Sequence, residues 1–158
     1  MKADGRLERV MMGLHDELGA RFFAHQQALL DRDFALAAER LEDYRSRIAR
    51  HMADEELSIL PRYVAAGGDR TDAPSKLFLG EHQKLREFLA DFATRLAALQ
   101  QRPDDRALLE LFDRQATYKN LMLHHDLRER NMLYPFLGAQ LPVAEQQAIE
   151  QALRWSGG

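Results

Sequence analysis

The chain has no cysteine among its 158 residues. Disulfide bonds, thiolate zinc sites and cysteine-ligated iron–sulfur clusters are therefore excluded, and a reducing compartment is compatible with the sequence. Long apolar runs are also missing: none approaches the roughly 20 residues of a membrane-spanning helix, and the first residues lack the apolar core of a secretory signal. We therefore expect a cytoplasmic protein that is neither exported nor inserted into a membrane.

A basic surface is the third absence. The 22 Lys and Arg residues are scattered among 25 Asp and Glu residues, for a net charge of −3. This distribution provides no positive stripe for a phosphate backbone, so nucleic acid is not expected as a partner. With 46% apolar and 30% charged residues, the length fits one domain, residues 1–158, with enough apolar material for a core.

Strand-like alternation is absent too, and apolar residues instead recur three and four positions apart. This spacing predicts four long helices, at about 6–30, 34–65, 74–100 and from the break at 102–105 to about 135. Asp33 is expected to cap the second helix and Pro74 to begin the third. We predict an all-α, up-down-up-down antiparallel four-helix bundle over about residues 6–137, with a short fifth helix at about 143–155.

One motif occurs twice in the predicted second and fourth helices. It reads Tyr44, His51, Glu55 and Pro61 in the first copy, and Tyr118, His125, Glu129 and Pro135 in the second. Because residues four apart lie on one helix face, each histidine and its glutamate point to a common place. That face is an apolar stripe in both copies, so the carboxylates lie on the buried side. Buried glutamates are nearly always paired or bound to a metal, and two of them predict a cation.

The short turns predict which other histidines reach this level of the bundle. His15 lies 17 residues before the turn near residue 32 and His51 lies 19 after it; His82 and His125 lie 21 before and 22 after the turn near 103–104. His25 is about 18 Å from His51 along the bundle at a rise of about 1.5 Å per residue, so we do not expect it in the site. The predicted ligand set is His15, His51, Glu55, His82, His125 and Glu129.

Imidazole and carboxylate donors without sulfur suit iron, zinc or manganese. Six ligands exceed what one tetrahedral zinc needs and fit two metals, each with two imidazoles and with both glutamates bridging. A solvent-derived oxo or hydroxo bridge would bring each metal to five ligands. One position per metal would then stay open for a small molecule such as O2.

Other residues near the motif have two interpretations each. Tyr44 and Tyr118 are either core residues with satisfied hydroxyls, or they hydrogen-bond to a ligand or bound molecule or serve as an extra ligand. His124 points roughly 100° away from the neighbouring ligand and would enter the site only if the register were wrong by one residue. Glu56 is expected to be solvated. Gly19 serves either a close helix contact or a gap for gas access.

On these residues the sequence resembles the hemerythrin-like, or HHE cation-binding, family. The resemblance rests on the doubled motif and on His15 and His82, and it covers about residues 7–137. It implies a non-haem di-iron centre with bridging glutamates. Oxygen-carrying hemerythrins differ: they have a second histidine where this chain has Arg86, and His-x4-Asp where it has His125-x3-Glu129. The pattern is closer to bacterial hemerythrin-like proteins associated with oxygen or nitric oxide sensing, peroxide chemistry or iron–sulfur repair.

The resemblance therefore implies a di-iron protein that binds or reacts with O2, nitric oxide or peroxide as a sensor, store or stress-response protein. An enzyme that turns over nitric oxide or peroxide is one alternative. An iron–sulfur repair protein is another, although the cysteine-bearing N-terminal region usual for such proteins is absent. A helical interaction module stabilised by zinc is the third. The sequence does not indicate a redox partner.

Overall fold

Helices make up nearly all of the structure, a computed structural model that describes residues 5–158. The elements are α1 (Arg6–Leu30), α2 (Phe34–Asp54), a π-helical turn (Glu55–Ile59), α3 (Leu60–Ala65), a 3₁₀ turn (Gly68–Arg70), α4 (Ser75–Gln101), α5 (Asp105–Arg128), a second π-helical turn (Glu129–Leu133), α6 (Tyr134–Gln140) and α7 (Val143–Ala152). Residues 5–158 contain no strand. The predicted all-α bundle with a short C-terminal helix is confirmed.

The four long helices α1, α2, α4 and α5 form the bundle. Helix α1 packs against α2, α2 against α4, and α4 against α5, while α6 and α7 both contact α1. The inward faces supply a largely apolar core, with fully buried Met11, Ile48, Leu85 and Phe92 among its members. None of the described helices is both long enough and apolar enough to cross a membrane.

Short capped turns determine which residues of neighbouring helices lie at the same height along the bundle. The Asp33 carboxylate accepts a hydrogen bond from the Leu36 backbone N–H at 3.0 Å, as predicted for an N-cap. Asp104 similarly accepts one from Arg106 N–H at 3.3 Å before α5. Pro74 is the cap of α4, which begins at Ser75, one residue later than predicted. Because both turns are tight, residues at equal distances from them come to the same height.

The second and fourth predicted helices differ from expectation at their C-terminal ends. Each widens into a π turn, in which Leu60 N–H donates to the Glu55 carbonyl and Tyr134 N–H to the Glu129 carbonyl. A proline follows each of these donors. Proline has no N–H and its ring clashes with the carbonyl four residues earlier in an α-helix, whereas a π turn displaces that carbonyl. The fourth helix therefore continues past its proline to Gln140 instead of ending near 135, and α7 ends at Ala152 rather than near 155.

Candidate metal centre

The six candidate ligands meet at one level in the middle of the bundle. Each long helix supplies one histidine, and each π turn begins with one glutamate: His15, His51, His82 and His125 on α1, α2, α4 and α5, with Glu55 and Glu129. Five of the six are buried, and the His15 side chain is 8% exposed. The residues that were inferred from the turns to lie at equal heights thus form one cluster in the structure.

The cluster contains two overlapping groups of donor atoms. Position A consists of His15 and His51 with both glutamates, and position B of His82 and His125 with the same two glutamates. Within each group, one donor atom from every residue lies within 4.8 Å of all the others. Each group could hold a metal ion. Because both glutamates belong to both groups, the geometry is that of two adjacent positions bridged by two carboxylates.

Distances at position A are those of ligands around one ion. His15 Nε2 lies 3.0 Å from His51 Nε2, which lies 2.8 Å from Glu55 Oε1. His15 Nε2 is also 3.3 Å from Glu129 Oε1. Donors at about 2.1 Å from a common metal and at right angles to each other are separated by about 3 Å. At position B the corresponding distances are 3.4 Å from His125 Nε2 to Glu129 Oε1 and 3.9 Å from His82 Nε2 to Glu55 Oε1.

Unpartnered polar atoms show that the residues fit a cation. Glu55 Oε1, both carboxylate oxygens of Glu129 and His82 Nε2 are buried without a hydrogen-bond partner among the described residues. Buried polar atoms are rarely left unsatisfied because each costs roughly 1–3 kcal/mol. Glu55 Oε1, Glu129 Oε1 and His82 Nε2 each lie within 4 Å of another candidate ligand atom, so metal ions placed between them would satisfy them.

Glu56 lies beside position B, although the sequence suggested that it is solvated. Its Oε1 is 3.3 Å from His82 Nδ1, and its other oxygen accepts a hydrogen bond from Arg86 at 2.8 Å. The side chain is only 22% exposed. An imidazole that donates from Nδ1 keeps the Nε2 lone pair free for a metal, so Glu56 sets the tautomer of His82.

Glu81 has the same relation to the second histidine of position B. Its Oε1 lies 3.4 Å from His125 Nδ1, and Arg128 donates to both of its oxygens at 3.1 Å. The sequence-based interpretation missed this residue. The one sequence feature that links Glu81 to the centre is its position directly before His82. That position does not reveal that the Glu81 side chain contacts His125 on the next helix.

Position A has different surroundings. The Nδ1 atoms of His15 and His51 have no hydrogen-bond partner among the described residues. Asp126 Oδ1 approaches His15 Nδ1 to 3.3 Å without forming a hydrogen bond, and the Asp126 side chain is 31% exposed. The Trp155 ring packs edge-on against His51, with 6.2 Å between ring centroids. Neither imidazole of position A is therefore held by a carboxylate as those of position B are.

The backbone of Trp155 is fixed by Asp54, the residue directly before Glu55. The Asp54 carboxylate accepts hydrogen bonds from Arg154 N–H at 2.9 Å and from Trp155 N–H at 3.1 Å. This contact links the end of α2 to the segment after α7. Sequence reasoning missed it because the partners are about a hundred residues apart.

Tyrosine hydroxyls lie near the centre in an unexpected arrangement. Tyr44 and Tyr118 bond to each other, with 2.5 Å between their oxygens, rather than to a candidate ligand. Tyr134 donates to Glu55 Oε2 at 3.3 Å and thus holds the carboxylate of a candidate ligand. The chain therefore does place a tyrosine hydroxyl on a candidate ligand, but the residue is the one directly before Pro135.

A cavity of about 240 Å³ adjoins position A. Apart from the centre, the tyrosine pair and Asp126, its inner wall is apolar: Leu18, Phe22, Ile48, Met52, Leu85 and Met122. Exposed residues of α1 and α5, Gly19, Lys119 and Leu123, form the outer rim. A Cβ added to Gly19 would meet no atom within 4 Å, so the close helix contact considered for this glycine is wrong and the gap interpretation is supported.

The remaining histidines lie outside the centre. His124 is exposed, and it belongs to neither group of donor atoms. His25 is buried, and it bonds to the Ala37 carbonyl through Nδ1 at 2.7 Å and to the Gln115 amide through Nε2 at 3.0 Å. It is a satisfied core residue, as its distance from the site suggested.

Neighbouring side chains lower the pKa of three carboxyl groups at this centre, Glu55, Glu56 and Glu81. Burial raises the pKa of Glu55, but the imidazoles of His51, His82 and His125 together outweigh burial and hold that pKa well below its ordinary value. The hydrogen bond with His82 lowers the pKa of Glu56 to about 2. At Glu81 burial again opposes the change, and the hydrogen bonds with His125 and Arg128 lower the pKa to about 2. Ionised carboxylates present lone pairs to a metal or to an imidazole N–H.

Comparison with known proteins bears on this centre directly. The family model described as the hemerythrin HHE cation binding domain matches residues 6–146. This range contains all four long helices and all six candidate ligands. Searches of curated proteins and of solved structures found no match.

Proposed function

Because the chain belongs to the hemerythrin HHE cation-binding domain family, we propose that it holds two iron ions, at positions A and B, and binds or reacts with a small oxidant. The observation that carries the proposal is that two groups of donor atoms share both glutamates. A single structural ion would need only one such group. Two adjacent ions sharing carboxylates are suited to binding O2, nitric oxide or peroxide.

The donor set supports iron over several other metals. Four imidazoles and two carboxylates without thiolate suit iron, zinc or manganese, and not copper(I) or calcium. Iron would supply an oxidisable centre with a coordination position free for a small ligand. The chain's own residues would hold the ions, orient the imidazoles and exclude bulk water, since five of the six candidate ligands are buried.

The cavity supports an approach to position A. Both histidines of position A, His15 and His51, line the cavity, whereas of the position B histidines only His125 does. The apolar wall favours a small uncharged molecule over hydrated ions. We infer that diatomic or peroxide ligands pass Gly19 and reach the centre on the side of His15 and His51. Neither a redox partner nor catalytic turnover is needed for this step.

Metal analysis of the freshly purified protein, with its visible spectrum before and after azide in air, tests the proposal. We expect about two iron ions per chain and a new azide-to-iron absorption band. His51→Ala and His125→Ala should each lower the iron content, because each removes a donor from one position. His124→Ala is the matched control: it changes an exposed histidine next to His125 and should retain the metal.

Normal iron content in both ligand variants would contradict the proposal. Zinc as the bound metal, with no azide band after anaerobic loading with ferrous iron, would instead indicate a helical module stabilised by zinc. Stopped-flow mixing of the reduced protein with peroxide or nitric oxide separates a binding protein from an enzyme. One equivalent consumed per centre indicates binding, and repeated consumption indicates turnover.

A further inference from the structure

We infer that the two metal positions are unequal: position B takes its ion first and holds it more tightly, because Glu56 and Glu81 hydrogen-bond to both of its imidazoles, whereas neither imidazole of position A has a hydrogen bond at Nδ1. The inference rests on the proposed function, since it assumes that both positions bind metal. It assigns Glu56 and Glu81 a role as positioning residues of one ion only.

Both imidazoles of position B are bound on their outer side. His82 Nδ1 faces Glu56 at 3.3 Å, and His125 Nδ1 faces Glu81 at 3.4 Å. Each carboxylate comes from the element that packs before its histidine's helix in the bundle, the π turn after α2 for His82 and α4 for His125. Rotation of either ring would break its hydrogen bond, so both rings are oriented before a metal arrives.

Arginines hold the two carboxylates in turn. Arg86 donates to Glu56 at 2.8 Å, and Arg128 donates to both oxygens of Glu81 at 3.1 Å. Each arginine lies one helical turn beyond a residue of the centre, Arg86 four residues after His82 and Arg128 three residues after His125. The result is a chain of arginine, carboxylate and imidazole on each histidine of position B.

Neither histidine of position A has such a series of arginine and carboxylate behind it. The Nδ1 atoms of His15 and His51 have no hydrogen-bond partner among residues 5–158. Asp126 Oδ1 lies 3.3 Å from His15 Nδ1, as close as Glu56 is to His82, but it makes no hydrogen bond there and its side chain is 31% exposed. His51 meets the Trp155 ring instead. Binding at position A must therefore select both the tautomer and the orientation of two imidazoles.

This difference has a direct consequence for affinity. A carboxylate on the outer nitrogen fixes the tautomer and ring orientation of a ligating histidine and makes it a stronger donor. Removal of such a partner typically lowers metal affinity by about 10- to 100-fold. Position B should therefore fill first, and position A, beside the cavity, should be the one whose ion exchanges.

Variants that each retain one position make the two affinities measurable. His15→Ala disrupts position A and leaves position B, while His82→Ala does the reverse. Titration with Co(II), followed by its visible absorption and by calorimetry, gives one dissociation constant for each variant. We expect Co(II) to bind the His15→Ala protein at least about 10-fold more tightly than the His82→Ala protein.

Glu81→Gln in each background then tests the cause. It should weaken Co(II) binding by roughly 10-fold or more at position B and leave the constant at position A unchanged. Glu87→Gln, which alters an exposed carboxylate on the same helix, is the matched control and should change neither constant. If Glu81→Gln fails to fold by circular dichroism, Arg128→Gln should still weaken position B selectively, because it releases the Glu81 carboxylate.

Equal Co(II) constants in the two single-position variants would overturn the inference. So would an equal loss at both positions on Glu81→Gln, since a purely structural role would move both. A protein that binds no Co(II) in the wild-type sequence would instead contradict the proposed function itself. The two failures are thereby distinguishable.

Discussion

Single residues at this centre act through the neighbours that they reach on other helices. Glu56 directly follows a candidate ligand and Glu81 directly precedes one. Adjacent residues on a helix point in directions about 100° apart, so neither shares the seam of its neighbour. Each side chain instead reaches across to a histidine on a neighbouring helix. A residue that helical periodicity places off the buried face thus becomes part of the centre.

The hydroxyl pair of Tyr44 and Tyr118 is a second case at this scale. Both rings are buried, and burial raises the pKa of both hydroxyls, so they are neutral. Tyr44→Phe should lower the free energy of unfolding by about 1–3 kcal/mol, because the Tyr118 hydroxyl would lose its partner inside the protein. Tyr118→Phe should cost a similar amount for the reciprocal reason. Urea denaturation of the metal-free proteins provides the measurement.

The double variant distinguishes this hydroxyl pair from independent packing. When both hydroxyls are removed, no buried hydroxyl is left without a partner, so the double variant should lose less than the sum of the two single variants. Additive losses would show that the two hydroxyls act separately.

At the scale of elements, π turns replace the helix ends that prolines would otherwise disrupt. Glu55 and Glu129 each begin such a turn, and Pro61 and Pro135 lie two residues after its end. The wider turn lets the helix continue past the proline. It carries Tyr134 onto the face where its hydroxyl meets Glu55. The proline of the repeated motif thus has a structural role beside the candidate ligands.

The segment after α7 is a second element whose position can be tested. Trp155 is the only tryptophan, and it is 3% exposed. Asp54→Ala should release the backbone of Arg154 and Trp155, and the fluorescence maximum of the metal-free protein should move to longer wavelength as the ring meets water. Asp113→Ala, at an exposed site on α5, is the control. An unchanged maximum in Asp54→Ala would show that packing alone holds this segment.

At the scale of the whole molecule, the candidate ligands join all four long helices. Metal binding should therefore stabilise the bundle as a unit, because the complete donor set exists only in the folded state. An ion present at about 100 times its dissociation constant contributes about 2.7 kcal/mol. For a chain of this size, that corresponds to a rise in Tm of roughly 5–11 °C.

Chelation provides the test of this linkage. The Tm should fall by at least that amount when both ions are removed, and it should recover when they are restored. A His51→Ala/His125→Ala double variant should show no change on chelation, since each position has lost a donor. An identical Tm for the metal-loaded and metal-free wild-type proteins would contradict the prediction.

The sequence by itself determined the features that depend on periodicity and spacing. Apolar residues three and four apart specify the helices, Asp33 marks a start, and the repeated His-x3-Glu puts His51 with Glu55 on one face. Tight turns then allow a count of residues to bring His15 and His82 to the same height. These inferences need only the pitch and rise of a helix, which are nearly constant.

Only the tertiary structure decided which side chains meet across helices. The contacts between Glu81 and His125, between Asp54 and Trp155, and between Tyr44 and Tyr118 depend on how neighbouring helices rotate and pack. The same packing distinguishes position B, with its carboxylate-bound imidazoles, from position A, with its cavity. Helical periodicity gives the direction of a side chain from its own axis, whereas the distance to a partner depends on the placement of a second axis.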